Sequence, residues 1–226
     1  MGRHFTHRLA LALLISLAAP DAARAASAVG TGTVAESLSH IENRWVDIRY
    51  VMTDTGSRLT AARALRNESR AALAENPNLA EVKFWHGMVL LLEPEYKRDL
   101  GSLRVVQEAK QLFEEAEAEN PQLLDGRVET ALGMLYSGVP GWPIAFGDDK
   151  QAAAHFLKAL SINPTGQEAN YLYGDFLRSR KRAAEALPYL ETALRAPVRP
   201  GHERADAYRR KEVEADLIAT RKDLRL

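Results

Sequence analysis

The chain has no cysteine among its 226 residues, and this absence removes several kinds of site. Disulfides, cysteine-based zinc or iron–sulfur centres and thiol nucleophiles are all excluded. Net charge is absent as well, because 30 basic side chains balance 30 acidic ones. A chain without a basic excess lacks the electrostatic footprint of a nucleic-acid-binding protein or of a protein held on an anionic membrane. Its 46% hydrophobic and 27% charged residues are ordinary for a globular protein.

The apolar run at residues 9–19 is too short for a membrane-spanning helix, which needs roughly 20 residues. Basic residues precede the run, and the small-x-small sequence at 23–25 follows it. This arrangement predicts a signal peptide over residues 1–25, cleaved after Ala25, then a flexible segment over 26–32. The alternative is an ordinary buried N-terminal helix. Because no cysteine follows the run, we expect export to the periplasm without a lipid anchor.

Internal repeats indicate the fold. Three segments end on the same Asn-Pro pair, at Pro77, Pro121 and Pro164, as expected just beyond the end of a helix. A small–large–small spacing of four and three residues recurs in three segments, at Ala109, Phe113 and Ala116, at Ala152, Phe156 and Ala159, and at Ala186, Leu190 and Ala193. Recurrence at a fixed period is the signature of a repeat protein.

The first half of each repeat is marked by a glycine, at Gly87, Gly133 and Gly174. Leu132-Gly133 with Tyr136 matches the L-G-x-x-Y pattern of the first helix of a tetratricopeptide (TPR) repeat. We therefore predict an all-α, TPR-like helical-hairpin solenoid as a single domain over residues 33–226. The predicted helix pairs are 34–52 with 59–74, 79–92 with 103–118, 124–136 with 150–162, and 167–179 with 183–196.

A final helix is predicted from residue 204 to about 224. Its apolar residues Tyr208, Val213, Leu217 and Leu224 are spaced for one face, and its many charged residues are expected to face solvent. This pattern is typical of the capping helix of a solenoid. The alternative is a helix that binds a partner.

Two insertions depart from the repeat, at residues 93–102 and 138–148. The second carries Val139, Trp142, Ile144 and Phe146, which are large for a solvated connector. Either these side chains pack on the helices as a plug, or Trp142 and Phe146 line a binding surface. Asp148 is predicted to be the N-cap of the next helix, with Gln151 completing a capping box.

The repeat register also predicts a concave binding surface. In a TPR first helix, the residues three before, one after and four after the glycine face the concave side. These positions are Phe84, Met88 and Leu91, then Thr130, Met134 and Ser137, and finally Tyr171, Asp175 and Arg178. Methionine-rich surfaces suit adaptable binding. The alternative is that the first repeat or the 93–102 insertion covers the first three.

The sequence carries no pattern typical of a catalytic site. His40, His86, His155 and His202 have no metal-ligand spacing, and no phosphate-binding glycine loop or nucleophile motif occurs in the sequence. The acidic pair Asp148-Asp149 is accounted for by helix capping. We therefore expect a binding protein without a metal or cofactor, and not an enzyme.

Several segments resemble exported bacterial TPR proteins of the TRAP transporter T-component family. They are residues 132–136, the V-P-G-W-P-I stretch at 139–144, residues 146–150, residues 170–176, and Arg199-Pro200-Gly201. The resemblance implies a periplasmic TPR-type partner of a TRAP substrate-binding protein. Two hypotheses follow. The chain is a module that binds a periplasmic protein, or it carries a small apolar ligand between the helices and the Trp142 loop.

Overall fold

A computed structural model describes residues 33–96 and 100–226, and residues Val34–Leu226 form one compact unit. The predicted signal peptide (1–25) and flexible segment (26–32) lie outside the described residues. The helices are α1 (Val34–Val46), α2 (Thr55–Glu75), α3 (Ala80–Leu90), α4 (Leu92–Tyr96), α5 (Leu100–Glu119), α6 (Arg127–Gly138), α7 (Asp149–Ile162), α8 (Gln167–Ser179), α9 (Ala183–Arg195) and α10 (Glu203–Leu224). A π-helical turn, Asp47–Val51, continues α1, and a 3-10 turn, Leu123–Gly126, precedes α6.

The helices pack as consecutive antiparallel pairs. The four pairs are α1 with α2, α3 with α5, α6 with α7, and α8 with α9, and α10 packs along α9. Each pair also contacts the next one through α2 and α3, α5 and α6, and α7 and α8. Within the described ranges no β-strand forms, apart from an isolated bridge between Gly141 and Gly147. The predicted all-α helical-hairpin solenoid is confirmed.

Glycine and a large apolar residue hold the helices of each pair close together. A Cβ atom on Gly87 would lie 2.5 Å from the Phe113 ring, and one on Gly133 would lie 2.8 Å from the Phe156 ring. A Cβ atom on Gly174 would likewise lie 2.8 Å from the Leu190 side chain. Any larger residue would therefore force the paired helices apart. The repeated glycines therefore mark where the two helices of each pair approach most closely.

The flanking alanines of the second helices complete this packing. The six predicted positions are fully buried, at Ala109, Ala116, Ala152, Ala159, Ala186 and Ala193. Their small side chains let the next helix approach at short distance. Each repeat of the sequence therefore corresponds to one closely packed pair of helices.

The C-terminal helix α10 does more than cap the last repeat. Its apolar residues Val213 and Leu217 are buried, as predicted. Lys211 and Glu214 are exposed as expected, but the expectation is wrong for Asp206 and Arg209, which are only 2% and 8% exposed and pair with Arg199 and Glu168. The helix also reaches the first helix pair, where the Tyr208 ring stacks on the Tyr50 ring at 5.0 Å.

Polar contacts reinforce this closure between the two ends of the chain. The His202 Nδ1 atom lies 2.7 Å from the Glu42 carboxylate, and the Arg204 guanidinium pairs with Asp47. The helix axis of α10 therefore crosses from the last repeat to the first. The concave side of the helix array is closed by the chain itself.

Residues 93–96 of the first insertion belong to α4, whose Glu93 accepts a 2.7 Å hydrogen bond from Arg66 of α2. In the second, the Trp142–Pro143 peptide bond is cis. Asp148 caps α7 as predicted, accepting from the N–H groups of Lys150 and Gln151. The reciprocal half of the capping box is wrong, because the Asp148 N–H donates to the carbonyl of Tyr136.

Two further features concern the residues that the structure describes. None of their helices is both long enough and apolar enough to cross a membrane. No cluster of three or more histidine, aspartate or glutamate side chains among them is arranged to hold a metal ion.

Candidate functional site

A cavity of about 410 Å³ lies on the concave side of the array, beneath α10. Its volume falls within the range of roughly 300–1,000 Å³ that is usual for small-molecule sites. The lining is mainly apolar and comes from almost every repeat, through Trp45, Phe84, Met88, Leu91, Leu92, Pro94, Val106, Ala131, Met134, Leu135, Val139 and Leu172. Thr130 and five charged residues complete it.

The structure brings together the predicted concave residues of two repeats. Phe84 and Met88 on α3, Leu91 directly after it, and Met134 on α6 all line the cavity. Their common orientation follows from the helical register, since each lies at an equivalent position relative to its repeat's glycine. The same space is also lined by Trp45 of the first helix pair and by Pro94 and Glu95 of the insertion.

The predicted concave residues of the Gly174 repeat, the fourth helix pair, have a different environment. The Arg209 guanidinium lies 4.7 Å above the Tyr171 ring, and burial raises the pKa of the Tyr171 phenol. Arg178 forms an ion pair of 2.5 Å with Asp216 of α10. Asp175 and Arg178 line a separate polar cleft of about 750 Å³ at the C-terminal end of α10. The predicted concave surface is therefore divided in two.

The apolar side chains of the Trp142 loop, residues 138–148, also lie in different environments. Val139 lines the cavity, and the Phe146 ring meets the Tyr136 ring edge-on at 5.5 Å. Trp142 and Ile144 are 90% and 66% exposed. The Trp142 indole therefore does not pack on the helices as a plug, and its place in a binding surface stays a prediction. The Phe146 ring does pack on the helices, and it is outside the cavity lining.

Four of the five charged side chains in the lining have ion-pair partners. Arg49 bonds Glu95 at 3.2 Å and Glu212 at 3.3 Å, and Arg209 bonds Glu168 at 2.8 Å. Burial raises the pKa of the Glu95 carboxyl. Burial acts in the same direction on Glu168, but the attraction of Arg209 and other nearby guanidinium groups outweighs it and leaves that pKa below its usual value.

Arg127 is the fifth charged residue and has no such partner. Its guanidinium lies 5.2 Å from the Phe84 ring and 5.0 Å from the Trp85 ring. Its Nη1 atom is sealed from solvent and has no hydrogen-bond partner among the described residues. The carboxylates of Glu168, Glu42 and Asp206 attract the guanidinium, but none of them forms an ion pair with it. Burial, followed by repulsion from Arg199, lowers the pKa of the Arg127 guanidinium. Sequence reasoning missed Arg127, which carries no motif beyond its place after Gly126.

Trp45 was also missed. Its indole Nε1 donates a 3.2 Å hydrogen bond to the carbonyl of Met88, so the ring is held against the cavity wall. The signal for it was weak, because the first helix pair lacks the repeat's glycine. Trp45 supplies an intrinsic reporter inside the cavity.

No family model and no curated protein matches the chain. Among solved structures it is similar to TTC0263, a thermophilic TPR protein of Thermus thermophilus. That match has 18% identity and a TM-score of 0.43, and it covers 82% of this chain and 100% of the other. It is also similar to MamA, at 16% identity and a TM-score of 0.33, over 64% of this chain and 95% of the other. The fold assignment rests on the helix packing described above.

Proposed function

We propose that this protein binds a small, largely apolar molecule in the cavity beneath α10. The observation that carries the proposal is the cavity itself, a space of about 410 Å³ lined by side chains of several repeats. Phe84, Met88 and Met134 present apolar surface to it from regular helices, which position side chains more firmly than loops do. Few polar groups and many apolar ones are the usual composition of a small-molecule site.

The same geometry argues against a peptide as the ligand of the concave side. In the Gly174 repeat, Tyr171 and Arg178 contact Arg209 and Asp216 of α10, so an incoming peptide would have to displace the protein's own helix. The displaced ion pairs are partly buried, and separating them leaves charges without partners. A compact ligand avoids that cost, because the space it needs is already present.

Native mass spectrometry of the freshly purified protein tests the proposal. We expect a co-purifying mass that is lost in Met134→Trp, because the larger side chain occupies the ligand's space. Ile218→Trp is the matched control, since Ile218 is an exposed residue of α10 and lies outside the lining. Retention of the ligand by Met134→Trp would place its site elsewhere.

Tryptophan fluorescence gives a second measurement. In a Trp142→Phe background the exposed indole is removed, and the remaining emission comes from Trp45 in the cavity wall and from the buried Trp85. We expect removal of the ligand to shift the remaining emission, and added ligand to reverse the shift. Emission that is the same with and without ligand would contradict the assignment of the cavity.

A second function is favoured by the exposed apolar tip of the Trp142 loop. Trp142 and Ile144 are large, solvent-facing side chains on one short turn, and exposed aromatic residues are enriched at protein interfaces. The V-P-G-W-P-I stretch resembles the TRAP T-component family, in which a TRAP substrate-binding protein is the partner. We propose such a periplasmic partner for the loop, together with export through the N-terminal segment.

Binding to a purified TRAP substrate-binding protein tests the second function. Trp142→Ala should weaken binding by at least about tenfold, since buried tryptophans are frequent interface anchors. Val198→Ser, at another exposed apolar position, is the control and should bind normally. Equal binding by both variants would show that the loop lies outside the interface.

N-terminal sequencing of the exported protein tests processing, with Ala26 as the expected first residue.

A further inference from the structure

We infer that the ligand of the cavity carries a single carboxylate, which pairs with the guanidinium of Arg127. The inference rests on the proposed function and names the chemical class of its ligand. Its starting point is the contrast within the lining, in which the other four charged residues have partners and Arg127 has none among the described residues.

The position of Arg127 makes this lack of a partner costly. It is the first residue of α6, where the helix dipole disfavours a positive charge. Its Nη1 atom is closed off by the protein without an acceptor, and a buried donor left unpaired costs free energy. An arginine remains protonated despite the burial that lowers its pKa. An anion bound at the other two guanidinium nitrogens, Nε and Nη2, would offset the cost of the buried positive charge.

The aromatic rings around Arg127 stabilise its orientation without satisfying its donors. The Phe84 and Trp85 rings lie within about 6 Å of its Cζ atom, the range for cation–π attraction. Such contact acts on the face of the guanidinium and leaves the edge formed by Nε and Nη2, which are not closed off as Nη1 is, free to bond. A planar edge matches the geometry of a carboxylate, which accepts two parallel hydrogen bonds.

The nearby acids set the charge of the ligand. Glu168 and Glu95 also line the cavity, and they repel any anion that enters. Together with Arg49, Arg127 and Arg209 they leave the lining with a net charge of one positive unit, which a single negative charge on the ligand neutralises. The remaining lining is apolar, and it accommodates a hydrocarbon chain or ring system. The ligand class is therefore an apolar monocarboxylate.

Decanoate and decanol are matched probes, because they share the hydrocarbon chain and differ in the charged group. We expect ligand-free protein to bind decanoate about tenfold to a hundredfold more tightly than decanol, as measured by isothermal titration calorimetry. In Arg127→Met the two affinities should become equal, with decanol binding unchanged. Unchanged decanol binding also shows that the variant is folded.

Arg127→Lys serves as the conservative variant. It keeps the charge but lacks the planar pair of donors, so it should keep a reduced preference for decanoate. Equal binding of both probes by the unmodified protein would overturn the carboxylate inference and leave the proposed function standing. A preference that persists undiminished in Arg127→Met would exclude Arg127 as its source. Binding of neither probe, with no co-purifying ligand, would contradict the proposed function itself.

Discussion

The two ends of the concave surface contain equivalent repeat positions that meet different neighbours. We call the end formed by the Gly87 and Gly133 repeats the open end, and the end formed by the Gly174 repeat the closed end. At the open end Phe84 and Met88 border the cavity, whereas at the closed end Tyr171 lies beneath Arg209. Register therefore decides which side chains face the concave side. The C-terminal helix decides which of them remain accessible.

Removing a buried charge at the closed end should lower the free energy of unfolding the most. Arg209→Met leaves the Glu168 carboxylate without its ion-pair partner and leaves Glu212 paired with Arg49 alone. We expect the free energy of unfolding to fall by about 3–5 kcal/mol, as is usual when one partner of a buried ion pair is removed. Urea unfolding followed by circular dichroism measures the change.

An exposed ion pair on the same helix is the control. Arg221 bonds Glu191 at 2.9 Å, and both side chains are substantially exposed. Arg221→Met should therefore cost at most about 1 kcal/mol. Equal losses in the two variants would mean that α10 is held at the closed end by apolar packing, and not by its charges.

Acidification should destabilise the open end through His86. This side chain lies between α2 and α3, where its Nδ1 atom is 2.8 Å from the Ser69 hydroxyl. Burial, followed by repulsion from Arg70 and Arg66, lowers its pKa from 6.5 to about 4. Between those two pKa values the unfolded chain binds a proton that the folded protein does not, so stability falls as the pH falls, by about 3 kcal/mol in total.

His86→Gln should remove that part of the pH dependence, measured as the difference in urea unfolding between about pH 7 and about pH 4. The stability of the closed end changes over a different pH range. The pKa of Glu168 is depressed, so its contribution is present above the usual glutamate pKa and is lost only as the pH falls through its lower folded value. An unchanged pH slope in His86→Gln would show that His86 is protonated in the folded protein.

The smallest effect is expected at the loop beside the open end. Trp142→Ala should change the free energy of unfolding by less than about 0.5 kcal/mol, because the indole is almost fully exposed. Phe146→Ala in the same loop should cost at least about 1 kcal/mol, since its ring packs on Tyr136. A larger loss from Trp142→Ala would indicate that the indole packs against the protein in solution.

The repeat fold could be predicted because its signal is local and periodic. The spacing from Gly133 to Phe156 reflects one physical contact between the two helices of a pair, and it recurs wherever that contact recurs. The predicted helix bounds mostly lie within a few residues of the observed ones. The short helix α4 was not predicted, because a five-residue helix has no usable periodicity.

The site was predictable only in part. Phe84, Met88, Leu91 and Met134 follow from the register, and the structure places them together. The covering of Tyr171 and Arg178 depends on where α10 lies, which no repeat specifies. Arg127 depends on the absence of partners in three dimensions, and a linear sequence does not show which charges will be left unpaired. The exposed tip at Trp142 depends on the path of a non-repeating loop.

The stacked rings of Tyr50 and Tyr208 have a consequence for how this molecule unfolds. In an open solenoid each repeat touches only its neighbours, so the termini fray independently of each other. Here the first helix pair and the last helix share a contact, and fraying at either terminus removes support from the other. Joined ends therefore make the helical array a more cooperative folding unit than its repeat count alone implies.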